Sequence, residues 1–217
     1  MKRVILRFGE WLTSVGERTG IRVLVYNPII WSHYLISARR CGAVFSKAVH
    51  EQFPGIRTSQ DVGAGTGGYV FRLKQSGVDA TGVEYSPMGR WLASLQGVEL
   101  KEFDCAAPNA LSNTGSFDLV YSIEVAEHIP EQLSNNFVEC MIGRSDLVIF
   151  SAAVPGQGGH GHINEQDQSY WREKFEARGY AYRQEESQRF SSRLQELGFR
   201  GWLPYNVQVF RRDPERA

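Results

Sequence analysis

Two carboxylates and an imidazole lie close together in the middle of the chain. Glu124, Glu127 and His128 are spaced i, i+3 and i+4, so a single helical turn would bring all three to one side. His162 lies in a glycine-rich loop, 155–162, after the next predicted strand and could supply a fourth ligand. Oxygen and nitrogen ligands suit Mg²⁺ or Mn²⁺, and nitrogen favours Mn²⁺. The pattern predicts a divalent cation that binds a substrate hydroxyl and lowers its pKa.

The same residues also allow simpler roles. The glutamates could line a pocket without a metal, and the histidine could pack or form a hydrogen bond. His128 or His162 could instead act alone as a general base, because the ordinary pKa of histidine is about 6.5. His160 is the weaker candidate in its loop, and His33 and His50 lie on predicted N-terminal helices where ordinary structural roles are expected.

A second chemical feature is a glycine-rich turn between a predicted strand and a predicted helix. Gly63, Gly65 and Gly68 satisfy the G-x-G-x-x-G pattern, in which the missing side chains let the backbone turn sharply and let a ligand approach closely. Glu84 ends the following strand, where an acid can bind ribose hydroxyls. This pattern alone fits NAD and S-adenosylmethionine equally well.

Short apolar runs alternate with helical stretches from residue 57 onward, which predicts a mostly parallel sheet with crossover helices. Seven strands are predicted, at 58–62, 80–84, 99–103, 117–122, 147–151, 180–183 and 206–211. Helices are predicted at 68–75, 88–96, 132–141, 169–178 and 192–197. Two more are predicted upstream, one from the helical spacing of Phe8, Trp11, Leu12 and Val15, and one at 31–50. The expected fold is an α/β sandwich with a helical N-terminal extension.

From residue 60 to residue 211 the sequence resembles the class I S-adenosylmethionine-dependent methyltransferases. The segment 61–67 resembles their first motif, and the segment 117–122 resembles their fourth-strand motif. The resemblance implies a Rossmann-like seven-stranded sheet and a carboxylate, Asp104, that faces the adenine. An NAD enzyme has no need of this third acid. The cofactor-binding residues that the resemblance implies are Asp61, Gly63, Ala64, Gly65, Gly67, Glu84, Tyr85, Asp104 and Ser122.

The E-x-x-E-H segment also resembles the metal-dependent branch of this family. That branch includes small-RNA 2′-O-methyltransferases and quinone-ring O-methyltransferases, and the RNA enzymes add a histidine after the fifth strand. The resemblance implies that Glu124, Glu127, His128 and His162 hold Mg²⁺ or Mn²⁺, and that His128 and His162 are catalytic. The segment 161–175 is similar to small methyltransferases of bacterial polysaccharide and secondary-metabolite pathways.

Composition and charge narrow the class of protein further. The chain has 217 residues and is 42% hydrophobic, which is enough for one domain with a well-formed core. Lysine plus arginine and aspartate plus glutamate both number 24, and this zero net charge argues against a nucleic-acid partner. Residues 1–57 carry nine basic and three acidic residues, so this basic arm would suit an anionic acceptor such as a nucleotide-sugar, a lipid-linked glycan or RNA.

The cysteines and the apolar segments indicate where the protein works. Cys41, Cys105 and Cys140 are widely spaced and odd in number, which excludes a disulfide framework and favours the reducing cytoplasm. No segment approaches the roughly 20 apolar residues of a membrane span. Contact with a membrane surface is still allowed by one set of apolar residues near the N-terminus, which could equally pack on the domain. These residues are Trp11, Tyr26, Ile29, Ile30 and Trp31.

The expected domain organisation is a helical cap over residues 1–56 and a methyltransferase domain over residues 57–217. Within the cap, Tyr34, Arg39 and Arg40 lie just upstream of the glycine turn, where one arginine could pair with the cofactor carboxylate. Near the C-terminus, Trp171 and Phe175 are expected in the core. Trp202, Pro204 and Tyr205 could line the acceptor pocket or cap the sheet, and the core is the expected place for them as well.

The sequence therefore predicts a cytoplasmic methyltransferase that uses S-adenosylmethionine, with metal help, to methylate an oxygen of a small molecule or glycan. Two alternatives stay open: an RNA 2′-O-methyltransferase, and a cofactor-binding partner subunit without catalysis. The zero net charge and the lack of a basic, aromatic RNA surface disfavour the first. The intact Glu124, Glu127 and His128 disfavour the second.

Overall fold

The structure is a computed structural model that describes residues 28–107 and 115–213, together with residues 9, 11, 12, 14–16, 18 and 19. Seven strands form a single sheet in the order β3-β2-β1-β4-β5-β7-β6. The five strands β1 to β5 run parallel, and β7 runs antiparallel to both β5 and β6. The strands are Thr58–Val62 (β1), Asp79–Glu84 (β2), Lys101–Glu102 (β3), Leu119–Ile123 (β4), Leu147–Ser151 (β5), Tyr180–Tyr182 (β6) and Gln208–Arg212 (β7).

Helices cover both faces of this sheet. Alternate residues of each central strand enter opposite cores: Tyr121 packs with Phe45 and Phe190 on one face, and Val120 packs with Phe137 and Phe175 on the other. This double burial explains why β4 and β5 are continuous apolar runs. The helices are Pro28–Gln52 (α1), Gly68–Gln75 (α2), Pro87–Ser94 (α3), Ser134–Glu139 (α4), Gln168–Glu176 (α5), Gln184–Glu196 (α6) and Leu203–Asn206 (α7), with 3₁₀ turns at Ala126–His128 and Glu131–Leu133.

The predicted α/β architecture with seven strands is confirmed, and several boundaries differ. Strand β3 has only two residues instead of the five expected over 99–103. Helix α6 begins at residue 184, whereas the prediction started it at 192. The first turns were missed because the segment is polar and its apolar stripe is narrow, with Phe190 and Leu194 as its large apolar residues. Helix α7 was not predicted, since Pro204 reads as a helix breaker although it is tolerated in a first turn.

The N-terminal segment is helical where the structure describes it. Residues 9, 11, 12, 14–16, 18 and 19 are in helical conformation, whereas Phe8 and Tyr26 lie outside the described residues. Over the part of the chain that the structure describes, none of the helices combines the length and the apolar character needed to cross a bilayer.

Helices α1 and α2 approach each other so closely that glycine is required at the contact. A Cβ on Gly68 would lie 2.6 Å from the carbonyl carbon of Ala38, and a Cβ on Gly42 would lie 2.7 Å from the carbonyl oxygen of Gly68. Both distances are shorter than atoms tolerate, and backbone atoms cannot move aside as a flexible side chain can. Helix α1 is therefore packed directly onto the first turn of α2, beside the glycine-rich turn.

We expect Gly68→Ala to lower the free energy of unfolding by about 1–3 kcal/mol, because the added methyl group overpacks the contact between α1 and α2. Urea unfolding followed by circular dichroism measures this change. Gly55→Ala is the matched control, since a Cβ at Gly55 would meet nothing within 4 Å. Equal unfolding midpoints for the two variants would contradict the close contact.

Candidate active site

The turn after β1 is built by three glycines in left-handed conformation. Gly63, Gly65 and Gly67 have φ angles of 85°, 55° and 72°, which side chains with a Cβ rarely adopt. The backbone N–H of Gly63 donates to the carbonyl of Val83 in the neighbouring strand at 3.0 Å, and Ala64 donates to the same oxygen at 2.9 Å. The turn is therefore fixed to β2 and opens directly into α2, where free N–H groups can face a ligand.

Glu84 connects this turn to the end of β2. Its Oε2 accepts a hydrogen bond from the backbone N–H of Gly65 at 2.7 Å, and its Oε1 accepts one from Ser86 at 2.7 Å. Burial raises the pKa of Glu84, and these two hydrogen bonds oppose the shift. Arg90 donates to the carbonyl oxygens of Glu84 and Tyr85, at 2.9 and 2.7 Å, and so fixes the backbone behind the acid.

The other residues expected at the cofactor differ in their exposure. Asp61 is buried in β1, where burial and then the charge of Glu84 hold its pKa well above the ordinary value. Ser122 is fully buried and its hydroxyl donates to the carbonyl of Val62 at 2.7 Å, so it ties β4 to β1. Asp104 is exposed and its Oδ1 accepts from the N–H of Ala106 at 2.8 Å, while Tyr85 is 59% exposed.

A buried carboxylate without hydrogen bonds lies at the end of β4. Glu127 has no exposed surface, and neither of its carboxylate oxygens has a hydrogen-bond partner. Burial raises the pKa of Glu127 to about 8, and the charge of Glu124 adds to the shift. The backbone N–H groups of Glu127 and Ala153 oppose the pKa shift, although neither lies in hydrogen-bond geometry with the carboxylate. An unpaired buried carboxylate is costly to a fold, so the absence of a partner for Glu127 indicates a place for a ligand.

Two imidazoles face this carboxylate. Ligand atoms of Glu127, His128 and His162 all lie within 4.8 Å of one another, and the Nε2 of His162 is 3.8 Å from Oε1 of Glu127. The Nδ1 of His128 is 3.1 Å from the carbonyl of Gly161, and the Nδ1 of His162 is 2.8 Å from Oε1 of Glu165. Both partners only accept, so each Nδ1 carries the hydrogen and each Nε2 is left with a lone pair.

His128 is adapted to remain neutral. Burial lowers its pKa to about 4, and the neighbouring His162 lowers it further, whereas the hydrogen bond to Gly161 opposes the shift. A neutral imidazole is the form that binds a metal ion. The donor set of one carboxylate and two imidazoles, with orphaned carboxylate oxygens, fits a divalent cation.

Glu124 does not belong to this cluster, contrary to the expectation that one helical turn would gather all three residues. Only Ala126–His128 is helical, and Glu124 precedes it in left-handed conformation with a φ of 52°. Its carboxylate accepts hydrogen bonds from the side chains of Gln157, at 2.8 Å, and Asn206, at 3.1 Å. The structure therefore brings three of the four predicted ligands together and turns the fourth toward the last strand.

Comparison with known proteins agrees with this geometry. Residues 60–141 match the family model described as a methyltransferase domain. This segment of the chain is therefore similar to methyltransferase domains. The match spans the turn at Gly63, the acid Glu84 and the E-x-x-E-H segment, which are the features that meet at the carboxyl edge of the sheet.

Three solved structures illustrate what this chain is similar to in fold. A sugar N-methyltransferase from Streptoalloteichus sp. ATCC 53650 is 15% identical with a TM-score of 0.55, and the alignment covers 77% of this chain and 85% of that one. Magnesium protoporphyrin IX methyltransferase from Synechocystis PCC 6803, with bound SAH, is 14% identical with a TM-score of 0.56 over 93% and 95% of the two chains. An O-methyltransferase family protein from Burkholderia thailandensis is 14% identical with a TM-score of 0.60 over 85% and 59%.

Helix α1 contacts the first turn of α3, just after β2, through Trp31. The indole is buried, and its Cη2 is 3.2 Å from the position that a Cβ on Gly89 would take. Ile30 is buried as well, whereas Trp11 is 55% exposed. Arg39 packs 4.2 Å over the ring of Phe71, and Arg40 is exposed.

The aromatic residues near the C-terminus are divided between core and surface. Trp171 and Phe175 are buried as predicted, and so is Pro204. Trp202 and Tyr205 were also predicted in the core, and this is wrong: they are 52% and 65% exposed. Trp202 immediately precedes α7, and Tyr205 lies within it. This helix lies at the carboxyl edge of the parallel strands, because the following strand β7 runs antiparallel to β5 and pairs Gln208 with Phe150.

Sequence reasoning missed several residues that shape the site. Glu165 accepts hydrogen bonds from the N–H groups of Gly156 and Gly158, at 2.9 and 2.8 Å, while it also holds His162. Gly159 leaves room for that imidazole, since a Cβ there would lie 2.2 Å from Nε2 of His162. The i, i+3 spacing of His162 and Glu165 is a signal that could have been noticed. Gln157 and Asn206 carry no such signal, because they are far from Glu124 in sequence.

The raised pKa of Glu127 predicts a pH-dependent stability. Because this pKa is higher in the folded state, the carboxyl contributes stability that is fully present below its ordinary value of 4.5 and is lost as the pH rises to about 8. We therefore expect the free energy of unfolding of the metal-free wild type, relative to Glu127→Gln, to fall between pH 5 and about 8.

Urea unfolding at a series of pH values in the presence of a chelator measures this difference. Glu131→Gln, at an exposed neighbouring position, is the control and should run parallel to the wild type at every pH. A Glu127→Gln profile that also runs parallel to the wild type would contradict the buried, unpaired state of the carboxyl.

Proposed function

We propose that this methyltransferase transfers the methyl group of S-adenosylmethionine to an oxygen of a small molecule or glycan, with the help of a divalent cation. The observation that carries the proposal is the buried carboxylate of Glu127, which has no hydrogen-bond partner and faces two imidazoles. We further propose that the protein acts in the cytoplasm, where its three free cysteines stay reduced.

The residues expected at the cofactor support the first half of the proposal. The left-handed glycines and the N–H groups at the start of α2 would accommodate the amino-acid part of the cofactor, together with Asp61. Glu84 would bind the ribose hydroxyls, and Asp104 and Tyr85 would lie at the adenine. Both carboxylates follow the ends of strands at the same edge of the sheet, where ligands of open α/β folds bind.

The second half of the proposal assigns the cation to Glu127, His128 and His162. When bound, the cofactor supplies an already activated methyl group and the cation lowers the pKa of an acceptor hydroxyl. The protein's own contribution is orientation: Gly161 and Glu165 hold the two imidazoles so that each Nε2 points away from its backbone or carboxylate partner. His162 is 12% exposed at its side chain, so in the alternative without a cation its free Nε2 could instead receive the acceptor's proton.

We also propose that residues 1–56 form a cap over the cofactor site, ahead of a methyltransferase domain at 57–217. The contact of Trp31 with Gly89 and the close packing of α1 on α2 support the position of this segment beside the glycine-rich turn. Arg39 is less suited to pair with the cofactor carboxylate, because its guanidinium already packs over the ring of Phe71.

We expect Glu84→Ala to weaken the binding of S-adenosylhomocysteine by about tenfold or more, because two ribose hydroxyls would lose a charged acceptor and each such bond contributes about 1.5–3 kcal/mol. Isothermal titration calorimetry measures the affinity, and NAD should bind far more weakly. Glu99→Ala removes an exposed acid of the same type and is the control. Unchanged affinity in Glu84→Ala would overturn the cofactor assignment.

Metal dependence is the sharper test of the proposed oxygen chemistry. We expect exhaustive chelation to abolish methyl transfer while S-adenosylhomocysteine binding stays nearly intact, and Mn²⁺ to restore the activity. Single Ala substitutions of Glu127, His128 and His162 should cause similar, non-additive losses, because residues that act as one unit fail together. Radiolabelled methyl transfer to sugars, nucleotide-sugars, phenols and short RNAs, with and without Mn²⁺, measures these effects.

The alternative of a lone histidine base predicts a different pattern. One of the two histidines would be indispensable, Glu127 would matter only moderately, and the chelator would have no effect. Activity that survives chelation would therefore remove the metal from the proposal. Methylation of an RNA, and of no small acceptor, would replace the proposed substrate class.

A further inference from the structure

Three polar side chains from distant parts of the sequence meet beside the cluster of Glu127, His128 and His162. The amide of Asn206 donates to both carboxylate oxygens of Glu124, at 3.1 and 3.3 Å, and to the side-chain carbonyl of Gln157 at 2.8 Å. Gln157 in turn donates to Oε2 of Glu124 at 2.8 Å. Asn206 is buried and Gln157 is half-buried, so this group, called here the amide–carboxylate group, forms a fixed wall of the site.

The charge on this wall limits what can bind to it. The Glu124 carboxylate accepts its hydrogen bonds from the neutral side-chain amides of Gln157 and Asn206. Among the described residues, no lysine or arginine forms an ion pair with Glu124, Glu127 or Glu165. A phosphate would be repelled here. Hydroxyl groups, which can donate to a carboxylate and accept from amides, fit the group well.

Two exposed aromatic rings stand next to the amide–carboxylate group. Trp202 and Tyr205 lie in the same short turn as Asn206, whose backbone N–H donates to the carbonyl of Trp202 at 3.2 Å. Their ring centroids are 6.2 Å apart at an interplanar angle of 66°. Large aromatic rings that remain exposed beside a site are typical of ligand contact rather than of packing.

The backbone of α7, which bears Tyr205 and follows Trp202, is fixed by hydrogen bonds and by packing. The side chain of Gln168 donates to the carbonyl of Tyr205 at 3.0 Å, and the hydroxyl of Ser191 donates to the carbonyl of Pro204. Leu203 and Pro204 are buried on the inner side of the turn. A rigid backbone limits the entropy that the aromatic side chains lose when a ligand binds.

From these contacts we infer that Trp202, Tyr205 and the amide–carboxylate group form a subsite for a neutral or amino-substituted sugar ring of the acceptor. The C–H face of the ring would pack on an aromatic face, and adjacent hydroxyls would bind to Glu124, Gln157 and Asn206. This inference rests on the proposed function and narrows its acceptor to a carbohydrate. Glu124 is thereby a specificity-determining residue, separate from Glu127, although both belong to the turn after β4.

The position of the subsite suits that role. The backbone N–H of Glu124 is bound to the carbonyl of Ser151 at 3.0 Å, so its left-handed conformation is fixed between the ends of β4 and β5. A sugar whose hydroxyls bind at Glu124 would therefore lie at the same edge of the sheet as Glu127 and His162.

The experiment uses the full chain saturated with S-adenosylhomocysteine. Saturation-transfer-difference NMR is recorded with methyl glycosides of glucose, galactose, mannose, rhamnose and glucosamine as the probes. We expect at least one glycoside to bind, and Trp202→Ala and Glu124→Gln each to weaken its binding by about tenfold, as expected when a ring contact or a charged hydrogen bond is lost.

Trp91→Ala is the matched control, because Trp91 is 56% exposed on α3 and should leave glycoside binding unchanged. The affinity for S-adenosylhomocysteine should be the same in all variants, which verifies that each one is folded. A preference for the glucosamine derivative that is lost in Glu124→Gln would support an amino sugar, and equal binding of neutral glycosides would support a neutral one.

Two results would overturn the subsite: no glycoside binds to the loaded protein, or Trp202→Ala binds as well as Trp91→Ala. In either case intact binding of S-adenosylhomocysteine and metal-dependent transfer to a phenol would leave the proposed function standing. Failure of the wild type to bind S-adenosylhomocysteine would instead overturn the proposed function itself, and the inference with it.

Discussion

The turn after β1 packs directly against the turn after β4, and the rest of the site depends on this close contact. A Cβ on Gly63 would lie 2.6 and 2.7 Å from the two methyl carbons of Val125. Glycine at position 63 therefore serves two purposes, since it permits the left-handed turn and it lets the E-x-x-E-H segment close over that turn. The segment that would hold the cofactor and the segment that would hold the cation are thus positioned by one contact, and neither can shift without the other.

This edge of the sheet also concentrates groups that are costly to bury. Burial raises the pKa of Asp61, Glu84 and Glu127, and it lowers that of His128. Groups with perturbed pKa values in one cleft are typical of functional sites. The two extended cores on either side of the sheet supply the stability that tolerates them. The apolar faces of the same strands therefore offset the cost of burying these titratable groups at the edge of the sheet. This is possible because both faces of a parallel sheet are buried.

The sequence predicted the parts of the structure that follow from local patterns. Strands β1 and β5 and helix α2 have the predicted boundaries, since glycine and apolar runs define them. The orientation of Glu124 could not be predicted, because i, i+3 spacing implies a shared face only if the whole segment is helical, and its left-handed backbone breaks that condition. Likewise, the exposure of Trp202 and Tyr205 follows from the antiparallel insertion of β7 between β5 and β6. This strand order depends on the topology of the whole sheet, so the local sequence around the two residues contains no periodic pattern that predicts it.

The insertion of β7 between β5 and β6 has a consequence for how such enzymes diversify. The groups expected to hold the cofactor and the cation lie between residues 61 and 162, whereas α7 contributes Asn206 and the exposed aromatic rings from the last fifteen residues that the structure describes. Under the proposed function, substitutions in this terminal segment would remodel one wall of the cleft and leave the residues expected to hold the cofactor and the cation unchanged. The choice of acceptor and the transfer chemistry would then be encoded in separate stretches of the gene, so that one could vary without loss of the other.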